Sequence, residues 1–291
     1  DADCLAGVTR TARAPWPEKK STVYEYAFDP EQDTRLHAGS AVYVLGDGIT
    51  STKIDTMDLT NGRLTLKVGN ARSLPEHCQL IPDEYVNPTP IPESVERYVR
   101  SWDEGTPASA AVDDLIHRRA PRLRGHGGGR VIAAESGSDG AIAAVRAMDG
   151  TTLAIQGPPG TGKTTTGARL IAALLDDGKR VGVMATGHAV ILNVLEKLLQ
   201  QRPDLAGRVL KVGKESDHPL AVSGAMRLLD SAKAPDAVAA ASCVVGGTAW
   251  LFSRPEMIGA LDYLFIDEAG QVPLANAVAA GMSARNLILM G

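Results

Sequence analysis

Aromatic residues make up only 4% of this 291-residue sequence, so its core must be built from aliphatic side chains, a composition that suits a parallel α/β domain. Cysteine is nearly as scarce. Cys4, Cys78 and Cys243 form no C-x-x-C pair and have no histidine at ligand spacing, which excludes a disulfide framework and a zinc site. Reduced thiols in a cytoplasmic protein are the expectation. No apolar run approaches membrane length, and the opening residues lack the apolar core of a signal peptide, so no membrane partner is expected. Positive charge is not in excess either: the formal net charge of -4 argues against an obligate basic nucleic-acid binder and leaves room only for a local patch. With 44% hydrophobic residues the chain can bury one large core or two ordinary ones, and disorder is excluded as the leading reading. The first residue is Asp and the last eight are ARNLILMG, a buried-strand pattern followed by one glycine. An internal piece of a longer polypeptide is expected.

What the sequence does contain changes character along its length. Residues 22–28, 41–45 and 63–68 are short alternating runs separated by Gly46-Asp47-Gly48 and Asn61-Gly62. The Asn-Gly pair is a hairpin signal because both residues tolerate positive φ. A small β-barrel or sheet is expected here, in an accessory domain spanning residues 1–92 that ends in a linker with prolines at 82, 88, 90 and 92. Residues 94–102 and 108–119 read as helices, with Ser94 and Ser109 as candidate caps, in a helical stalk and basic linker over 93–130. HRRAPRLRGHGGGR, residues 117–130, carries five Arg and no acidic residue; phosphate contact and a solvated or interdomain face are both open. Over 131–291, apolar runs at 153–156, 181–185, 209–212, 243–245, 263–266 and 287–290 alternate with helical segments, which implies a parallel sheet with right-handed crossovers.

Two motifs carry chemistry. GPPGTGKT, residues 157–164, fits G-x-x-x-x-G-K-[ST] and stands between a strand and a helix. In such a loop the backbone N–H groups of Gly157, Pro158, Pro159, Gly160, Thr161, Gly162 and the turn into Thr165, proline nitrogens excepted, surround an anion at a helix N-terminus. Lys163 would reach the β and γ phosphates of ATP and the Thr164 hydroxyl would ligate Mg2+. The second motif is Asp267-Glu268, directly after the apolar run 263–266. Asp267 comes first off the strand and is the candidate for the Mg2+ shell; Glu268 would orient or deprotonate the attacking water.

Together QGPPGTGKT (156–164), DEAGQ (267–271) and GVMATGHAVILNVLEKLL (182–199) resemble the first RecA-like domain of superfamily 1 helicases, within the Upf-like, 5′ to 3′ branch. The β-rich segment, the prolines and PRLRG (121–125) resemble bacterial members that carry a RecB-type nuclease domain upstream. The resemblance implies that Gln271 senses the γ-phosphate or its water. It also implies that Thr186, His188, Asn193 and Thr248 contact nucleic acid, with helix capping an equal reading for Thr186 and Asn193. The family's adenine-reading Gln has no counterpart; Ser138 stands in its slot. LILMG resembles the strand of motif III cut one residue before its Asp. The expected whole is therefore a DNA helicase motor driven by ATP on single-stranded DNA, RNA remaining open, completed by a second RecA-like domain. An AAA+ ATPase and a nucleotide-binding module with negligible turnover are the alternatives.

Overall fold

The computed structural model describes residues 4–83, 87–132, 137–158 and 160–291, which fall in two compact units, Asp1–Asn87 and Pro88–Gly291. Among the described residues no helix is long and apolar enough to cross a membrane.

In the first unit, seven antiparallel strands follow one another: β1 (Leu5–Arg10), β2 (Trp16–Glu18), β3 (Ser21–Ala27), β4 (Ala41–Leu45), β5 (Ile49–Asp58), β6 (Arg63–Gly69) and β7 (His77–Pro82). Pairing runs β1-β7-β4-β5-β6-β3, and the end of β3 returns to β1, so six strands close into a barrel; β2 lies along the start of β3. Closure removes the sheet edges that would otherwise be open to pairing. Alternation fills the inside: Val42 and Val44 of β4 and Leu64, Leu66 and Val68 of β6 are buried while their neighbours are more exposed.

The Asn61-Gly62 turn differs from its expected form. Asp58 pairs with Arg63, so four residues form the loop, and only Gly62 is left-handed, at φ 60. Asn61 instead donates its amide to the Asp58 carboxylate at 2.7 Å. Gly62 has no alternative, since a Cβ there would lie 2.2 Å from the Phe28 carbonyl oxygen.

The second unit contains α1 (Ile91–Asp103), α2 (Ala110–His117), α3 (Gly137–Ala147), β8 (Thr152–Ile155), α4 (Lys163–Asp176), β9 (Val181–Met184), α5 (His188–Gln201), β10 (Val209–Val212), α6 (Pro219–Val222), β11 (Met226–Leu229), α7 (Ala234–Ala240), β12 (Val244–Gly247), α8 (Ala249–Phe252), β13 (Leu261–Ile266), α9 (Leu274–Gly281) and β14 (Ala284–Met290). The sheet is wholly parallel, in the order β11-β10-β12-β9-β13-β14-β8. Helices cover both faces, which is why the strands read as unbroken apolar runs. Along β13, Tyr263 and Phe265 join the core with α4 and α5, while Leu264 and Ile266 join the core with α1, α2 and α9.

The helices expected as a stalk belong to this second core. Ile91 and Tyr98 of α1 and Ala111 and Val112 of α2 are buried in it. Ser94 is not a cap: α1 starts three residues earlier, after Pro90, and the Ser94 hydroxyl donates to the Ala279 carbonyl of α9 at 2.9 Å. Ser109 does cap α2, accepting from Val112 N. Much of the basic stretch after α2 is consumed internally. Arg119 pairs with Asp113, Arg122 with the fully buried Asp114 carboxylate at 2.6 Å, and Arg124 donates to the Arg146 and Met148 carbonyls. Those guanidiniums act as caps and braces, so the phosphate-contact reading of that stretch finds no support in them.

Candidate functional site

Parallel strands deliver their C-terminal ends to one side of the sheet, where loops and helix N-termini meet. At that side, β8 leads into the loop 156–162 and α4 begins at Lys163 with Gly162 as its cap residue, at φ 84. Gly160 is left-handed as well, at φ 81, so two residues turn the chain through backbone angles that side chains resist. Pro159 lies outside the described residues. The Thr161 hydroxyl donates to the Pro158 carbonyl at 2.7 Å, and the Lys163 ammonium donates to the carbonyls of Gly157 and, at 3.1 Å, Pro158. Lysine here satisfies the loop's own oxygens.

Two strands away, β13 ends at Ile266, and Asp267 continues its ladder by donating its N–H to Met184 O at 2.8 Å. Asp267 is 6% exposed; its carboxylate accepts from Glu268 N at 3.0 Å and has no ion-pair partner among the described residues. Burial pushes its pKa above the usual carboxylate range, and the neighbouring Glu268 charge adds to that, against the Glu268 N–H and Lys163. Glu268 stands in the left-handed region at φ 51, a conformation that costs a side-chain-bearing residue about 1–2 kcal/mol and is tolerated where a site requires it. Gln271 follows one short turn later, its N–H bonded to Glu268 O at 2.8 Å.

These segments line one cavity of about 380 Å³: Gly157, Lys163, Thr164, Asp267, Glu268 and Gln271 all border it. Gly291 is there too, donating to Ile155 O and accepting from Gly157 N, which ties the end of β14 to the start of the loop. Asn193, expected among the nucleic-acid contacts, borders this same cavity with Val190. Five residues along a helix is about 140° around its axis, so His188 and Asn193 face different ways. His188 and Thr248 instead share a second cavity of about 630 Å³ at the ends of β10 and β12, with Lys214, Glu215, Trp250 and Arg254. Thr186 is exposed in the turn between β9 and α5 and borders neither cavity, and α5 carries no side-chain cap. Thr165 lies in a groove with Ser138 and Arg169, where the Arg169 guanidinium donates to the Ser138 hydroxyl at 2.9 Å.

The donor set suits a hard divalent cation. Thr164 offers a hydroxyl and Asp267 a buried, unpaired carboxylate on the same cavity wall, all oxygen and no thiol or imidazole. Among the described residues no cluster of three His, Cys, Asp or Glu forms a self-sufficient metal cage. Any cation there would share its shell with a ligand.

Fold and cavity together define a P-loop α/β domain. Residues 136–235 match a family described as an AAA domain. No curated protein matches the sequence. Among solved structures, the UvsW helicase from bacteriophage T4 is similar at TM-score 0.36 and 11% identity, over 62% of this chain and 58% of that one. The helicase nonstructural protein 10 of an arterivirus is similar at TM-score 0.34 and 12% identity, over 97% of this chain and 46% of that one. The chain thus spans less than two thirds of the length of either.

Proposed function

We propose that the second unit is the ATP-binding and ATP-hydrolysing motor domain of a helicase that acts on single-stranded nucleic acid, DNA in preference to RNA. One observation carries the reading: residues from the loop after β8, the end of β13, the turn at Gln271 and the end of β14 converge on a single cavity at the strand C-terminal ends. Lys163 would exchange its two loop carbonyls for β- and γ-phosphate oxygens, at little net cost in hydrogen bonds. Thr164 and Asp267 would hold Mg2+. When bound, the cation supplies charge neutralisation across the phosphates. Glu268 would orient or deprotonate the attacking water, and Gln271 would sense the γ-phosphate or that water. His188 and Thr248, and Thr186 two residues before His188 in the chain, would contact the nucleic-acid backbone through small polar groups that carry no sequence preference. Asn193 would be closer to the phosphates than to the strand.

The AAA+ alternative calls for a polar sensor at the end of the strand after Asp267-Glu268. That strand is β14, and its buried polar residue, Asn286, lies at the opposite end, accepting from Thr151 N and donating to Asp262 O. This favours the helicase reading. The proposed partners are single-stranded DNA, a second RecA-like domain and an upstream nuclease domain, in the cytoplasm. Steady-state Mg-ATP hydrolysis with and without poly(dT) and poly(U) tests the reading. Stimulation by poly(dT) that disappears in Glu268→Gln is expected; turnover indifferent to either polymer would leave a nucleotide-binding module.

A further inference from the structure

Lys211, the third residue of β10, is fully buried, an environment that lysine almost never occupies without partners. Its ammonium has three protons and three neighbours: Val212 O at 2.9 Å, Glu215 Oε2 at 3.3 Å and His188 Nδ1 at 2.6 Å. An ammonium can only donate, so Nδ1 must accept, and the imidazole proton is left on Nε2. Glu215 also stands 3.2 Å from Nδ1, and would draw a proton onto that nitrogen if Lys211 did not occupy it. Burial first, then the Lys211 charge, hold the His188 pKa below its ordinary value, with Glu215 opposing. Burial likewise lowers Lys211, and Glu215 counters it. Burial pushes Glu215 up, but its own backbone N–H and Lys211 outweigh that and keep it ionised. The side chain of His188 remains 47% exposed, bordering the cavity it shares with Thr248, Lys214 and Arg254.

We infer that Lys211 and Glu215 are positioning residues that fix His188 as a neutral Nε2–H donor facing this cavity, where it meets a phosphodiester oxygen of a single strand. The inference rests on the nucleic-acid reading of His188 and Thr248 given above. A neutral donor of fixed tautomer holds an oxygen in one direction without adding another charge next to a buried ammonium. Lys211 does not touch the strand; its effect passes through the imidazole.

Long-range 1H–15N spectra of the histidine-labelled chain at neutral pH test the positioning directly, His188 being assigned from the signals missing in His188→Gln. The Nε2–H pattern is expected in the wild type. Lys211→Met should convert it to a tautomer mixture, and Glu215→Gln, which removes the counter-charge and lets the buried Lys211 become a neutral amine able to accept from Nδ1–H, should move the same signals the same way. A wild-type Nδ1–H or doubly protonated pattern would overturn the inference, as would spectra unchanged in both variants. The second readout is the affinity of fluorescent dT and U oligonucleotides. Lys211→Met and His188→Gln should each weaken binding about 5-fold, the equivalent of one hydrogen bond, and the double variant no further. Equal binding by all four proteins would overturn the role of the imidazole while leaving the nucleic-acid reading standing. A wild-type chain that binds neither strand would fail that reading itself, and the phosphodiester role with it, whatever the tautomer.

Discussion

Two cavities at opposite ends of the parallel sheet use their charged side chains in opposite ways. At the strand N-terminal ends lies a cavity of about 460 Å³, larger than the one bordered by Lys163 and Asp267, and lined by Arg124, Arg146, Asp177, Lys179, Asp262 and Arg285. Most of its charges are already matched: Arg146 with Asp177 at 2.7 Å, Asp262 with Arg180 at 3.3 Å, Arg285 with Asp149 at 2.5 Å. At the C-terminal ends, Asp267 and Glu268 have no ion pair among the described residues, and Lys163 holds only main-chain oxygens. Size therefore says less than satisfaction. A cavity whose charges are paired braces the fold; one whose charges are left over is the candidate for chemistry.

If that contrast is right, variants at the two ends should separate stability from activity. The largest effect expected is on turnover: Lys163→Ala or Glu268→Gln should lower ATP hydrolysis by about 10²–10³-fold while circular dichroism and melting stay near wild type. Next comes the brace. The buried Asp114 carboxylate accepts from Arg122 and from the Thr151 hydroxyl, both at 2.6 Å, so Asp114→Ala should cost about 2–4 kcal/mol in denaturant melts, with nucleotide binding retained by the folded fraction. Phe265→Ala, two residues before Asp267 and fully buried, should cost about 3–5 kcal/mol and so tests whether the site tolerates a loosened β13.

Asp267→Asn should go the other way. The folded-state pKa of Asp267 is raised, so the folded protein binds that proton more tightly than the unfolded chain, and the ionised form works against stability once pH rises through the raised pKa. The variant should melt above wild type at neutral pH, lose that advantage as pH falls, and bind no Mg-ATP productively. Smallest of all is Arg146→Ala. Its bond to Asp177 is half exposed and solvent-screened, so its loss should barely move the melt and should leave hydrolysis unchanged.

What could be read from the sequence follows the same division. Spacing alone identifies the loop 157–164 and the Asp267-Glu268 pair, because chemistry demands fixed offsets from a strand end, and Gln271 adds itself only through resemblance. The parallel strands were legible as apolar runs, except for β11, whose MRLL at the sheet edge is interrupted by the exposed Arg227. In the barrel, β1 was hidden because its register shifts between Leu5 and Val8 around the left-handed Gly7, which breaks the alternation. Asn193 was grouped with His188 by resemblance, although five residues of helix turn it to another side, where it borders the cavity with Lys163 and Asp267. Lys211 and Glu215 left no signal at all. A lysine in an apolar strand reads as an outward-facing residue, and only its three partners, the next carbonyl of β10 and side chains from α5 and the loop after β10, explain its burial.

Equilibrium binding of a fluorescent ATP analogue with Mg2+ to wild type, Lys163→Ala and Arg146→Ala tests the central claim most directly. Saturable binding by wild type and Arg146→Ala, lost in Lys163→Ala, is the predicted result. Binding that survives Lys163→Ala, or that disappears in Arg146→Ala, would put the nucleotide at the wrong end of the sheet and contradict it.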